Sequence, residues 1–384
     1  MTGYDAIVVG GGVVGCAAAR ELAPDHDVLL VEKDTVASGA TGKASGLVSP
    51  VYDHQANMPA ARHATDFFED FDGTGHVSVA WPGGVFLYGD DERDHAGEAT
   101  GRAQEAGFPA ENLDPAGLGD RYPGMFDTDA WAGAVVFDEV GWVDSHTVAT
   151  TLQAQAADRG AEFRTGLRVK RVLADERVTG VRTDHGDFDA PTVVVAAGWR
   201  TRQVIEEHVP VPTRPFRYQT AELEVEQTLG DGFPVAWEHE TLLYWRATRE
   251  GSLHVGGRPY FVGSPGTTAH GATAEFKHTL ARQIPSYLPS VGDPRLRSDD
   301  TCLTGDAATP DGVPIIDAPA EAPDGLVVAT GMHGFGIMLA PVAGATIRAL
   351  VTGKRPPFPI EPYAVSRFDD RGTDFGSPYI APPR

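Results

Sequence analysis

The chain has 384 residues, 41% of them hydrophobic, and carries 54 acidic against 31 basic side chains, a net charge of −23. That length is enough for two domains and a sizeable core, while the acidic balance excludes the basic face that nucleic-acid binding needs. Only five of the basic residues are lysines (Lys33, Lys43, Lys170, Lys277 and Lys354), and an acidic, arginine-favouring surface fits a protein kept soluble in concentrated salt, where self-repulsion is screened.

The first expected element is the short apolar run 6–9, which stops at Gly10, Gly12 and Gly15 in the spacing G-x-G-x-x-G before an alanine-rich helix opening at Val13 and Val14. Gly10 permits a tight turn, Gly12 lets the backbone approach a pyrophosphate, and Gly15 allows helix and strand to pack closely. The helix start offers N–H groups and a positive dipole end to the phosphates. A second strand, 28–31, ends at Glu32 and Lys33; Glu32 lies twenty residues past Gly12 (32 − 12), where a carboxylate is placed for a ribose hydroxyl.

Residues 57–71 read as a helix burying Phe67, Phe68 and Phe71, and 77–88 as strand-like, followed by a polar stretch to Asp129. Asp144 is placed to cap a helix over 145–159. Short strands at 163–169, 171–173 and 178–183 form a meander leading into 193–195, which closes on Ala197 and Gly198. After Pro215, segments 218–225, 242–246 and 252–256 alternate in the antiparallel manner, and 275–284 reads as a helix. Residues 325–341 repeat the strand, glycine turn, helix pattern through Gly331, His333, Gly334, Phe335, Gly336 and Ile337. The polar, Pro/Gly-rich 366–384 reads as a weakly ordered tail.

Three strand–glycine units spread over the chain imply one sheet assembled around an extended cofactor, and FAD answers that better than NAD. The expected fold is α/β: a Rossmann-like, doubly wound parallel sheet from residues 1–76, 140–214 and 300–365, with an inserted, mainly antiparallel β + α substrate domain from 77–139 and 215–299. Cys16 and Cys302 are the two cysteines; no secretory signal or membrane-length apolar run is evident, and no cluster has metal-ligand spacing. The expectation is an intracellular, disulfide-free, metal-free protein, cytoplasmic in a halophile, with peripheral membrane attachment left open.

At this point the chain resembles the D-amino-acid oxidase (DAO) superfamily of flavoproteins, which includes glycine oxidase, sarcosine oxidase and D-amino-acid dehydrogenases. The residues that carry the resemblance are the first glycine loop with Glu32, the glycine/hydroxyl stretch 38–46, Gly141-Trp142-Val143-Asp144, 193–198, 252–257, Thr309-Pro310-Asp311-Gly312 and 331–341. It implies noncovalent FAD, two domains, and hydride transfer to flavin N5 from a C–H next to nitrogen. It also places Thr41, Gly42, Ser45, Gly46 and Leu47 along the pyrophosphate and flavin, with Val169 among the cofactor contacts. Backbone amides at 334–336 would face the flavin N1–C2=O edge. His254 stands where monomeric sarcosine oxidases have an oxygen-activating lysine, and Gly336 where they have a carboxylate-binding lysine. Glycine oxidases carry an arginine just before the T-P-D-G turn, and residues 303–308 here have none. These departures favour a dehydrogenase, and either the carboxylate anchor comes from elsewhere or the substrate is not a simple amino acid. A covalent link through Cys302 is disfavoured by its spacing to Pro310.

Tyr244 and Arg246 share one face of strand 242–246, so both are candidates over the flavin, with Arg246 as a two-pronged carboxylate clamp. His254 is a candidate for polarising or deprotonating the substrate amine, and His333 for flavin or substrate contact. Arg217, Tyr218, Arg258, Tyr260, His54, Arg62 and His63 are weaker options. The reading is an FAD-dependent oxidoreductase that oxidises the C–N bond of a small amino or imino acid, with O2 or a carrier as electron acceptor. Three rivals stand beside it: an FAD-dependent 2-hydroxy-acid or polyol-phosphate dehydrogenase, the flavin subunit of a larger dehydrogenase, and a nucleotide-binding module with an inert cofactor; a homo-oligomer or a subunit partner is left open.

Overall fold

The computed structural model describes residues 3–50, 57–238, 240–263, 271–301, 306–378 and 380. A six-stranded sheet runs in the order Ile315–Asp317, Leu326–Thr330, Thr192–Val195, Ala6–Val9, Val28–Val31, Glu162–Arg164. All neighbours are parallel except the antiparallel edge strand Ile315–Asp317. Its central strands are apolar on both faces, as a parallel sheet covered twice requires. Ala6 and Val8 pack under the helices Val13–Leu22, Met58–Phe71, Ser145–Asp158 and Gly336–Thr352. Ile7 and Val9, one residue out of phase, pack under the meander formed by Val169–Ala174, Val178–Thr183 and Gly186–Asp189.

The second sheet is mixed and largely antiparallel. Its order is Arg295–Thr301, Arg214–Glu224, Leu253–Phe261, Leu243–Ala247, Val235–Glu238, Gly84–Tyr88, Gly133–Phe137, Ala110–Leu113, with Asp306–Ala308 pairing to the start of Arg214–Glu224. Helix Ala274–Tyr287 covers one face of it. Phe276, Leu280 and Ile284 there meet Leu243, Trp245, Leu253 and Val255, so Tyr244 and Tyr218 are left for the face turned toward the first sheet.

Local signals behave as their chemistry dictates. Asp144 caps helix Ser145–Asp158 by accepting from the Thr147 N–H at 2.7 Å, and helix Gly336–Thr352 stops at Gly353 in the left-handed conformation, φ +73°. The strand-like stretch 77–88 is a strand only from Gly84. The tail read as weakly ordered is tied down by specific contacts. Arg367 bonds Asp311, Arg214 bonds the Phe375 carbonyl at 2.7 Å, and Ser377 Oγ donates to the Thr309 carbonyl at 2.5 Å. Composition alone does not register such long-range partners. No helix among the described residues is long and apolar enough to cross a membrane.

Candidate functional site

The first glycine loop forms one wall of a long cleft of about 450 Å3, within the usual range for ligand pockets. Gly10 sits at φ +112°, and a Cβ there would lie 2.4 Å from the Ala196 carbonyl oxygen, so neither the conformation nor the space admits a side chain. The helix that follows starts from Gly12 with no side-chain cap and no acidic residue in its first turn. Its positive end therefore faces the cleft uncompensated. The Val13 N–H is braced by Thr41 Oγ1 at 3.1 Å. The buried Glu32 carboxylate accepts from the Gly11 N–H at 2.7 Å and the Asp34 N–H at 2.8 Å, which fixes it at the end of the second strand.

Most of the expected cofactor residues border this one cleft: Gly10, Gly12, Val13, Val14, Glu32, Lys33, Thr41, Ser45, Gly46, Leu47, Val169, Ala197, Gly198, Gly331, Gly334, Phe335, Gly336 and Ile337. Three expected residues do not, and each has a packing reason. A Cβ on Gly15 would stand 1.9 Å from the Gly10 carbonyl oxygen, and one on Gly42 2.3 Å from that of Ala37; these glycines permit backbone contact and leave the lining to their neighbours. His333 is the third, taken up below.

The sequence reading missed most of the cations. Besides Lys33 and Lys43, the lining includes Arg168, Lys170 and Arg200, five cations gathered in a chain of net charge −23. The signal was available: Arg168 and Lys170 are two apart at a strand end and so share a face. Cations, an uncapped helix end and a fixed carboxylate suit the phosphates and adenosine ribose of a dinucleotide, so the residues present fit FAD.

At the other end of the cleft, Tyr218, Thr220 and Tyr244 project from the second sheet beside Asp300 and Asp306. The Tyr218 ring lies against the backbone of Gly334, where a Cβ would be 2.1 Å from the ring edge, and meets Tyr244 edge-on at 6.3 Å. Ser45 Oγ joins Tyr244 OH at 2.7 Å and His254 Nε2 at 2.8 Å, so the structure does bring His254 and Tyr244 together. Burial first, and the Arg246 charge second, lower the His254 pKa to about 3, which keeps the imidazole neutral. Asp306 Oδ2 accepts from the Gly334 N–H at 2.7 Å and Oδ1 from the Ala307 N–H at 2.8 Å; burial raises its pKa.

Of the four expected catalytic side chains only Tyr244 borders the cleft; His254 meets it through Ser45, and Arg246 and His333 are placed elsewhere. Arg246 Nε donates to the Ser45 carbonyl at 2.9 Å and Nη1 to that of Ala247 at 2.9 Å, with the guanidinium 4.3 Å above the Trp142 ring. It does not border the cleft. It holds the Ser45 turn and lies on the indole, away from the cleft, in place of gripping a substrate carboxylate. Its pKa falls to about 10, chiefly from burial. His333 is fully buried at φ +54°, its Nε2 2.9 Å from the Pro378 carbonyl oxygen and its ring stacked on Phe335 at 5.8 Å. The left-handed turn sends its ring into the core beside the C-terminal segment, and only its neighbours line the cleft.

Of the weaker options, Tyr218 is in the lining; Arg217 and Tyr260 are not. Arg62 pairs with Glu139 at 2.7 Å, Arg258 with Glu275 at 2.9 Å, and His63 rests on Phe358. His54 and Cys302 lie outside the described residues. Among the described residues no group of His, Cys, Asp or Glu is arranged to hold a metal.

Comparison with known proteins gives the same picture. The chain is 25% identical to the 4-methylaminobutanoate oxidase (formaldehyde-forming) of Paenarthrobacter nicotinovorans, over 94% of this chain and 45% of that protein. It is 30% identical to the D-amino acid dehydrogenase of Methylobacterium sp. (strain 4-46), over 72% of this chain and 64% of that one. The chain thus spans about half to two thirds of these curated relatives. Among solved structures, the L-proline dehydrogenase from P. horikoshii superposes with a TM-score of 0.86 at 23% identity, covering 96% of this chain and 98% of that one. Glycine oxidase from Geobacillus kaustophilus does so with 0.82 at 22%, covering 96% and 100%. The family model for FAD dependent oxidoreductases, DAO, matches residues 5–350, and the chain belongs to that family of FAD-requiring enzymes.

Proposed function

We propose that the chain oxidises the C–N bond of a small amino or imino acid of the D-amino acid, glycine or sarcosine type, with FAD held noncovalently. The observation that carries this is the single cleft joining the Gly12 helix end and Glu32 to Ser45, Tyr244 and Tyr218 of the second sheet. The names of the relatives, which include a D-amino acid dehydrogenase and a monomeric sarcosine oxidase, support the same substrate class. The discontinuous nucleotide-binding part and the inserted substrate part, divided as the sequence analysis has them, belong to this proposal.

Bound FAD would supply a hydride acceptor for oxidation of the substrate C–N bond to an imine, which water would hydrolyse to a carbonyl compound and an amine. The rest is done by the protein. The first helix and the cleft cations hold the phosphates, and Glu32 holds the ribose. Tyr218 and Tyr244 wall off water. His254 is too weak a base to take a proton from an ammonium at neutral pH and does not border the cleft; it fixes the Ser45 hydroxyl, which with Tyr244 orients the substrate, and positioning is the main source of rate.

The test is anaerobic addition of D- and L-amino acids, N-methylglycines and 2-hydroxy acids to the yellow holoprotein while the visible flavin band is followed. Amino or N-methylamino acids should bleach it, and slow recovery in air would mark a dehydrogenase that uses a carrier in place of O2. Bleaching by hydroxy acids alone would overturn the substrate class.

A further inference from the structure

The substrate end of the cleft holds a carboxylate, Asp306, that no cation among the described residues answers. Asp306 spends one lone pair of each oxygen on a backbone amide, Ala307 and Gly334. Its surroundings raise its pKa through burial, opposed by those amides alone. Each carboxylate oxygen retains acceptor capacity. Of the cleft cations, Lys33, Arg168, Lys170 and Arg200 flank the residues assigned to the dinucleotide, and Lys43 pairs with Asp300 at 2.5 Å. A partly buried carboxylate that faces the cleft with no cation beside it is suited to a charged group that completes it.

We propose that Asp306 determines specificity by binding a cationic nitrogen of the substrate, and that this nitrogen is not the one oxidised. The proposal rests on the amine-oxidising reading above and deepens it. A carboxylate beside an ammonium favours its charged form, whereas hydride leaves the neighbouring carbon only when the nitrogen lone pair is free to form the C=N bond. The nitrogen at Asp306 is therefore a second one, and the substrate is a dibasic molecule: a diamine, or an amino acid whose other end carries an ammonium or guanidinium group. Arg246 offers a substrate carboxylate no clamp, since it is turned to the Ser45 carbonyl and the Trp142 ring and does not border the cleft.

The experiment uses the FAD-loaded protein in 1 M KCl, to screen the general acidity, and two inert probes of one shape, tert-butylammonium and pivalate. Neither has a hydrogen on the carbon that would have to be oxidised, so perturbation of the visible flavin band reads binding alone. Tert-butylammonium should bind saturably and in preference to pivalate, and Asp306→Asn should weaken it by roughly 10–100-fold, the value of one charge-assisted bond. Preference for pivalate, or an affinity for tert-butylammonium unchanged in Asp306→Asn, overturns the inference. Asp306→Ser takes the place of the amide variant if that one loses its flavin. Bleaching by monobasic amino acids together with pivalate preference would sink this inference and leave the oxidoreductase reading standing. A holoprotein that no amine bleaches would sink both.

Discussion

His254 and His333 are held neutral by the fold, burial lowering their pKa values to about 3 and about 4. In the unfolded chain both titrate near 6.5. Above that pH neither state takes up a proton at these sites, so their contribution to stability is whole. As the pH falls below 6.5 the unfolded chain binds protons that the native state refuses, and stability declines by up to about 1.4 kcal/mol per pH unit for each histidine, until the folded pKa is reached. The urea midpoint should therefore fall between pH 7 and pH 5. His333→Asn isolates one share, because asparagine tolerates the left-handed conformation and does not titrate. Its midpoint should fall less steeply than that of the parent, and an identical slope would place the protonation elsewhere. The roles of His254 and Arg246 were half legible for a related reason. Alternation along strand 242–246 told which side chains share a face, but their partner is the Ser45 turn, 209 and 201 residues away in sequence. Nothing local announces that the serine hydroxyl would meet the histidine and its carbonyl the arginine.

Elements were easier to read than side-chain partners because their signals are short-range. Glycine spacing, the Asp144 cap and the two-residue period of the buried strands each act within a few residues. The strand Ala6–Val9, its turn and the helix Val13–Leu22 accordingly fall where the spacing puts them. Gly15 belongs to that unit as a packing residue, and the geometry sets the size of the effect. In Gly15→Ala the new Cβ would press on the Gly10 carbonyl oxygen at 1.9 Å. Both groups are backbone and neither can rotate away, so helix and turn must separate. A loss of about 1–3 kcal/mol is expected from such overpacking, together with loss of FAD during gel filtration, since the displaced helix end is the proposed phosphate site. Gly97→Ala is the control. Gly97 lies exposed in helix Arg93–Glu105 with nothing within 4 Å of its Cβ position, and should stabilise by roughly 0.5–1 kcal/mol. Urea midpoints and the ratio of flavin to protein absorbance check both variants. A Gly15→Ala protein with unchanged midpoint and full flavin would refute the packing role.

For the whole molecule, two sheets and a cleft were foreseeable from the run of apolar strands, while the distribution of charge within that frame was not. The acidic excess tells that the surface repels itself, yet five cations collect in the cleft and most others sit in exposed pairs such as Arg182 with Asp187 at 2.8 Å and Lys354 with Asp25 at 2.6 Å. Salt acts in opposite directions on such pairs and on the unpaired acids. It weakens exposed pairs, each worth up to about 1 kcal/mol, and it relieves repulsion among unpaired acids as the Debye length shrinks from about 10 Å at 0.1 M to about 3 Å at 1 M. With a net charge of −23, repulsion is the larger effect, because it sums over the excess carboxylates rather than over neighbouring pairs. The Tm of the holoprotein should therefore rise, by roughly 5 °C, between 0.1 M and 1 M KCl. Chloride is the proper anion, since sulfate would stabilise most folded proteins by exclusion from their surface. A Tm that stays level or falls across that range would mean the ion pairs outweigh the repulsion, and would remove the physical basis for reading this surface as fitted to concentrated salt.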